Sequence, residues 1–262
     1  MSQRRPIVIT RPQAQAVTLA QQISATGGEP IIFPLLEIVP LPDTAALEIT
    51  LAHLGGYALV VFVSPNAIDA AFKHILHWPS QVAIGIVGEG SRVALARHRV
   101  TAQNAIIYGP PDVTRTDSEG LLQALDLSGL SGRRVLIVRG DSGRELLADS
   151  LRTAGIEVVL LSAYQRRAPI MTPALTRQLQ QLLISENDWF VTSSEALRIL
   201  MQMVQNLENT AGNTGNVTKI QHKKLLVPHI RIFETARALG FNAITLTGPG
   251  DERLLHALQS QS

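Results

Sequence analysis

The 262-residue sequence predicts an α/β protein built on parallel sheets. Three observations carry that expectation. Short β-branched runs alternate with helical stretches along the chain, the pattern of βαβ units. Several of those runs are apolar without interruption, as strands covered on both faces are. The alternation also repeats itself: Arg11 and Arg139, Gly27 and Gly155, and Glu29 and Glu157 stand 128 positions apart, and Ser64 and Ser193 stand 129 apart. A near-constant offset across strand, helix, glycine and strand points to a duplicated half of about 130 residues. A chain of this length suits two such domains.

The elements follow in order. Residues 6–10 form a strand, and residues 14–23 carry Ala16, Leu19, Ala20 and Ile23 at helical spacing. Gly27-Gly28 stops that helix before a strand at 31–33, and Pro40 and Pro42 mark a break. Residues 44–54 read as a helix with Asp43 at its cap, and 58–63 as a buried strand. Ser64-Pro65 then suits a helix start, serine at the cap and proline in the first turn. A strand at 82–87 leads through Gly88-Glu89-Gly90-Ser91 to a helix at 94–97, and Ser118 opens another over 121–125. The second half gives a strand at 135–138, a turn at 140–143, a helix at 145–153 and a strand at 158–161. Residues 189–191 feed Thr192-Ser193-Ser194-Glu195, which fits a capping box with Thr192 as cap. Strands at 225–227 and 243–246 alternate with helices at 231–239 and 252–258. The Asn-, Gly- and Thr-rich stretch 206–219 is expected to form a mobile surface insertion.

Composition excludes several classes. Hydrophobic residues make up 45% and charged residues 17%, so wholesale disorder is out. No run approaches the ~18 apolar residues of a membrane span, and no signal-peptide core follows Arg4 and Arg5. A cytoplasmic location is the default. The absence of cysteine removes disulfides, thiolate metal sites, cysteine nucleophiles and iron–sulfur clusters. The net charge of +2 and the 4% aromatic content give no footprint for nucleic acid. One basic concentration, Arg133 to Arg167, is either a solvated face or part of a cleft for an anion. His74 and His77 read as the last turn of a helix, with no third ligand beside them, and no metal is expected. Gly88-Glu89-Gly90 lacks the third glycine of a dinucleotide fingerprint, and Gly140 to Arg144 lacks the lysine of a P-loop.

In open parallel sheets the ligand crevice lies beyond the carboxyl ends of the strands. The sequence sets small polar residues at those points: Ser64, Ser91, Ser118, Ser142 and Ser193. Each could simply cap its own helix. Together they also suit a multiply charged anion held at helix N-termini.

Several motifs in fixed order carry a family resemblance. They are Val8-Ile9-Thr10-Arg11-Pro12, Phe33-Pro34-Leu35-Leu36-Glu37-Ile38 and Val61 to Ala67. After them come Val87-Gly88, Asp117 to Leu122, Val138 to Leu147, Tyr164-Gln165-Arg166 and Thr192 to Leu197. In these the chain resembles the uroporphyrinogen-III synthase family over nearly its full length. It departs from the family at Val63, where threonine is common before the serine, at Ser91-Arg92, and at 227–231.

The resemblance implies two similar flavodoxin-like domains interleaved in sequence. Residues 1–37 with 168–262 would form one domain and 42–164 the other. A two-stranded connector would run through about 34–42 and 164–169. It also implies a cofactor-independent lyase acting on hydroxymethylbilane, a linear tetrapyrrole with eight carboxylates. The enzyme would close it with loss of water and inversion of the terminal ring through a spiro intermediate, in porphyrin and heme biosynthesis. The sequence shows no obvious interface stripe, so a monomer is the default. Tyr164 would be the acid for the leaving hydroxyl or would orient it, since a phenol keeps its proton at neutral pH and can donate it. It could equally be a packing tyrosine at the domain crossing. Arg11 and Arg139 would take carboxylates bidentately, or serve as structural ion pairs. Ser64, Asn66, Gly88, Ser91, Ser118, Gly140, Ser193 and Ser194 would complete the substrate contacts, and His229, which follows a strand, would either reach the cleft or lie at the surface. The rival readings are a non-enzymatic two-domain module that binds an anionic metabolite, and a duplicated protein of this fold without activity.

Overall fold

A computed structural model describes residues 5–112, 118–143, 145–211 and 215–260. Asp117 and Arg144 of the motifs above, and residues 212–214, lie outside the described residues. In chain order the elements begin β1 (Ile7–Ile9), α1 (Gln13–Ala25), β2 (Pro30–Ile32), β3 (Glu37–Val39), α2 (Ala45–Ala52), β4 (Leu59–Phe62) and α3 (Pro65–Ala71). They continue β5 (Ala83–Ile86), α4 (Glu89–Arg97), β6 (Ile107–Tyr108), α5 (Ser118–Ala124), α6 (Leu127–Leu130), β7 (Arg134–Gly140), α7 (Leu146–Thr153) and β8 (Glu157–Arg167). The last are α8 (Pro173–Ile184), β9 (Asp188–Phe190), α9 (Ser194–Ala211), α10 (Asn216–Gln221), β10 (Lys224–Val227), α11 (Ile230–Ala238), β11 (Ile244–Leu246) and α12 (Asp251–Gln259).

The chain divides into two compact units. Unit 1 comprises residues 1–37 and 167–262, and unit 2 comprises 38–166. Unit 1 has a five-stranded sheet in the order β11-β10-β9-β1-β2, with parallel pairing throughout. Unit 2 carries the order β8-β7-β4-β5-β6, again parallel, with β3 added beside β8. The two orders superpose when β1 is matched to β7, β2 to β8 and β9 to β4. These are the pairs that the 128–129 offset links, so the duplication read from sequence is also a duplication of topology. Gly27 and Gly155 sit at matching places just past α1 and α7, at φ +77° and +76°. That left-handed conformation closes a helix at little cost only for glycine.

Both sheets are covered on both faces, which is why the strands read as unbroken apolar runs. In unit 1, Val8, Trp189, Val191, Leu225 and Val227 face one core, completed by Leu200, Val204 and Ile232 from the helices. Ile7, Ile9, Phe190 and Leu226 face the other, against Ala16, Leu19, Ile23 and Leu254. In unit 2, Val60, Phe62, Ile84, Leu136 and Val138 pack on Ile68 and Leu95. Leu59, Val61, Val135 and Ile137 pack on Leu121, Leu147 and Leu151. The period of two along each strand thus assigns each residue to one core or the other.

Some expectations are corrected. Residues 206–211 are the end of α9 and 216–219 lie in α10, not in a surface insertion. Composition hid an apolar stripe: Leu200, Met203, Val204 and Leu207 are buried at helical spacing, and Asn216 is buried too. The Glu208 carboxylate accepts from the Val217 N–H at 2.9 Å and joins the two helices. The cap of α9 is Ser193, not Thr192: its Oγ accepts from the Glu195 and Ala196 N–H groups at 3.1 and 3.4 Å. His74 and His77 lie beyond the end of α3 rather than in its last turn. Helix α8 went unread, although Thr172-Pro173 starts it by the same cap-and-proline device as Ser64-Pro65; the Thr172 Oγ1 accepts from the Leu175 N–H at 3.2 Å.

Candidate functional site

The order of each sheet reverses direction once, between β7 and β4 in unit 2 and between β1 and β9 in unit 1. Loops leaving such a pair diverge to opposite faces and open a crevice. In unit 2 this crevice is a cavity of about 210 Å³. Ser64, Ser118, Arg139, Gly140 and Tyr164 all line it, so five of the expected site residues come together.

Ser64 follows β4 and caps α3, its Oγ accepting from the Ala67 N–H at 3.1 Å. The same Oγ lies 3.1 Å from the Tyr164 hydroxyl, with which it shares a hydrogen bond. Tyr164 is only 6% exposed. Its ring lies against Gly140: a Cβ there would meet Cε2 and Cζ at 3.1 Å. Ser118 opens α5. Arg139 is 8% exposed and donates from Nη1 to the Glu145 carboxylate at 2.7 Å. Glu145 immediately precedes α7 and is itself half-exposed, so the cation in the cavity wall is held from the solvent side. Gly143 leaves room for this guanidinium, whose Nη2 would stand 2.8 Å from a Cβ.

Other expected residues lie apart from this cavity. Asn66, in α3, lines a second cavity of about 150 Å³ that Tyr164 also borders. Gly88 sits at the N-cap of α4, and Ser91 is buried in the first turns of that helix. In unit 1, Arg11 follows β1, forms an ion pair from Nη2 to Asp251 at 2.6 Å, and stacks 5.1 Å above the Phe190 ring centroid. Asp251 begins α12, where a carboxylate also suits the helix N-terminus. Ser193 caps α9, and the Ser194 Oγ accepts from the Thr235 hydroxyl at 2.9 Å. His229 stands exposed at the N-cap position of α11, with no side-chain cap bond.

Ser142, expected at the crevice as a helix cap or anion contact, lines the cavity, as do Gly143 and Arg166, which were not singled out as contacts. Ser142 caps no helix, because α7 begins later, at Leu146. Instead its carbonyl and Oγ both accept from Arg166 Nη2, each at 3.0 Å. The Arg166 N–H in turn donates to Asp141 Oδ1 at 3.3 Å, so the turn after β7 is tied to the end of β8. A usable signal existed. Residues two apart on a strand share a face, so Tyr164 on the crevice side brings Arg166 with it.

Among the described residues, no group of three or more His, Asp or Glu side chains is placed to hold a metal ion, and no helix is long and apolar enough to cross a membrane.

Comparison with known proteins agrees with the topology. A family model described as uroporphyrinogen-III synthase HemD matches residues 17–255. The chain is 32% identical to uroporphyrinogen-III synthase of Escherichia coli K12 over 97% of its own length and 99% of that protein. It is 34% identical to the Salmonella typhimurium LT2 enzyme with the same coverage. Among solved structures, uroporphyrinogen-III synthetase of Helicobacter pylori matches with TM-score 0.64 at 13% identity, over 98% of this chain and all of that one. A mutant synthase from Thermus thermophilus matches with TM-score 0.60 at 14% identity and the same coverage. These structural likenesses speak for the fold.

Proposed function

The chain belongs to the uroporphyrinogen-III synthase family, and on that premise we propose that it closes hydroxymethylbilane to uroporphyrinogen III, with Tyr164 giving the proton to the leaving hydroxyl. The family match does not favour the non-enzymatic anion-binding reading.

The observation that supports the role of Tyr164 is its shared hydrogen bond with Ser64 at the cavity wall. Two hydroxyls carry two hydrogens. One bridges the pair, and the Ser64 oxygen already accepts from Ala67. The second hydrogen is left for a group in the cavity. At about 210 Å³ the cavity is smaller than the ~300–1,000 Å³ of pockets that hold a whole ligand. It suits one pyrrole ring with its acetate and propionate arms, and Arg139 and Arg166 supply positive charge beside them.

The hydroxymethyl C–O bond breaks, and the electron pair leaves with oxygen. Tyr164 protonates that oxygen, so water departs. The pyrrole nitrogen lone pair fills the gap and gives an azafulvene-like electrophile. The terminal ring attacks through its substituted carbon, and the spiro intermediate fragments and recloses with that ring inverted. Loss of the final ring proton restores aromaticity and returns a proton to the phenol. Holding the reacting ends in this geometry supplies most of the preference over uninverted closure, and a placed acid adds about 10²–10⁴-fold.

The experiment supplies freshly generated hydroxymethylbilane, oxidises the products and separates type I from type III uroporphyrin. An excess of type III over the protein-free control is expected. Only type I, from folded protein, would overturn the reading.

A further inference from the structure

Strand β8 changes face where the cavity needs it to. Along this strand Leu160 is exposed, Leu161 buried, Ser162 exposed and Ala163 buried, the ordinary alternation. Tyr164 should follow Ser162 to the exposed side, yet it is buried directly after Ala163. The cause is a register shift against β7. Arg139 is opposite Ser162, whereas its neighbour Gly140 is opposite Tyr164, so one residue of β8 has no counterpart. Such a bulge turns the following side chain to the other face.

On β7 the shift falls at Gly140. This glycine is not among those with positive φ, so its backbone does not require glycine. What it supplies is space. A Cβ would stand 3.1 Å from Tyr164 Cε2 and Cζ and 3.3 Å from the hydroxyl oxygen. The Tyr164 backbone cannot retreat freely, because its carbonyl accepts from the Asp141 N–H at 2.9 Å. The ring would therefore have to give by a few tenths of an ångström, and its hydroxyl would move off the geometry of its 3.1 Å bond to Ser64.

We propose that Gly140 and the bulge opposite it are a positioning device for the Tyr164 hydroxyl, and that Gly140 acts on the reaction through that ring rather than by holding substrate. The proposal rests on the reading of Tyr164 as the proton donor. It assigns Gly140 a role distinct from the substrate contact that its motif suggests. Gly140→Ala lowers kcat about 5–20-fold, in proportion to a displacement of a few tenths of an ångström, and leaves KM nearly unchanged.

Two measurements test it. The first is independent of turnover. The chain has three tyrosines, so protein labelled with 3-fluorotyrosine gives three ¹⁹F resonances, and Tyr164→Phe identifies its own by loss. Gly140→Ala should move the Tyr164 resonance and leave those of Tyr57 and Tyr108 in place. A folded variant with all three unmoved overturns the positioning claim. The second is a double-mutant cycle. In the Tyr164→Phe background no hydroxyl remains to misplace, so Gly140→Ala should change kcat less than twofold. An equal loss in both backgrounds would mean that Gly140 acts directly, and would also overturn the claim. Full activity of Tyr164→Phe alone would instead remove the proton-donor reading, while the ¹⁹F result still judged the geometry. Should Gly140→Ala not fold, adding Tyr164→Ala should restore folding by removing the ring that the methyl meets; no restoration counts against the proposal.

Discussion

The Ser64 oxygen stands 3.1 Å from both the Tyr164 hydroxyl and the Ala67 N–H. One atom thus caps a helix and orients a phenol. The two roles are separable by substitution. Tyr164→Phe keeps the ring and the cap, and should lower kcat by about 10²-fold or more with a rising share of type I product. Ser64→Ala should lower kcat less, but also lose about 1 kcal/mol of stability with the cap. Product isomer ratios and denaturant melts of the two variants check this.

Arg166 holds the turn after β7 through two bonds from a single nitrogen, to the Ser142 carbonyl and hydroxyl. A lysine side chain is one bond shorter, so its ammonium stops near the position of the arginine Cζ, short of both Ser142 oxygens. Arg166→Lys should therefore raise KM about fivefold, a little under the 1.4 kcal/mol that corresponds to tenfold, with a smaller effect on kcat. A wild-type KM in this variant would show that the turn holds itself.

Trp189 fills the unit 1 core, edge-on to Phe33 at 5.9 Å, and its Nε1 donates to Asn187 Oδ1 at 2.7 Å. The Asn187 amide also donates to the Leu182 and Ser185 carbonyls. Asn187→Ala leaves a buried indole N–H without its acceptor, together with freed carbonyls. The expected loss is about 2–3 kcal/mol, read by urea denaturation with unchanged product ratio.

Asp188 gives a pH test with a definite sign. Burial pushes its carboxyl above the ordinary 3.8, outweighing the pull of Lys224 and Arg5. The folded state then holds that proton more tightly than the unfolded chain, so stability falls as pH rises from 3.8 through the folded value. Above that window the buried charge is a standing cost. Asp188→Asn should melt higher than the parent at neutral pH, and the difference should vanish below 3.8. Lys223, lowered by burial from 10.5, acts at the alkaline end: stability rises with pH between its folded value and 10.5. Thermal melts across the two ranges check both signs.

Much of this was legible in the chain. Residues 58–63 and 135–138 could only be strands buried on two faces, and the offset joining Arg11 to Arg139 already paired β1 with β7. Ser64 was legible as a cap because the serine–proline pair states its own geometry. Other features depend on partners that a local reading does not see. Composition alone gave 206–211 as loop, because the polar residues outnumber Leu207, whose burial needs the rest of the core. The cap of α9 slipped by one residue because Thr192 and Ser193 carry the same kind of oxygen. The turn of Tyr164 toward Ser64 was the least legible, since a bulge is a relation between two strands and no residue of β8 announces it.

The division of the chain has a consequence for synthesis. Thr10 Oγ1 donates to the Phe190 carbonyl, a partner 180 positions later. At roughly 5–20 residues per second, translation needs about 10–40 s to deliver it. Throughout that interval β1 lacks its central neighbour β9, and Ile7, Val8 and Ile9 have only the β2 side to pair with. Unit 2, by contrast, leaves the ribosome as one uninterrupted stretch. The embedded unit is therefore complete first, while the edge of β1 stays open until β9 arrives.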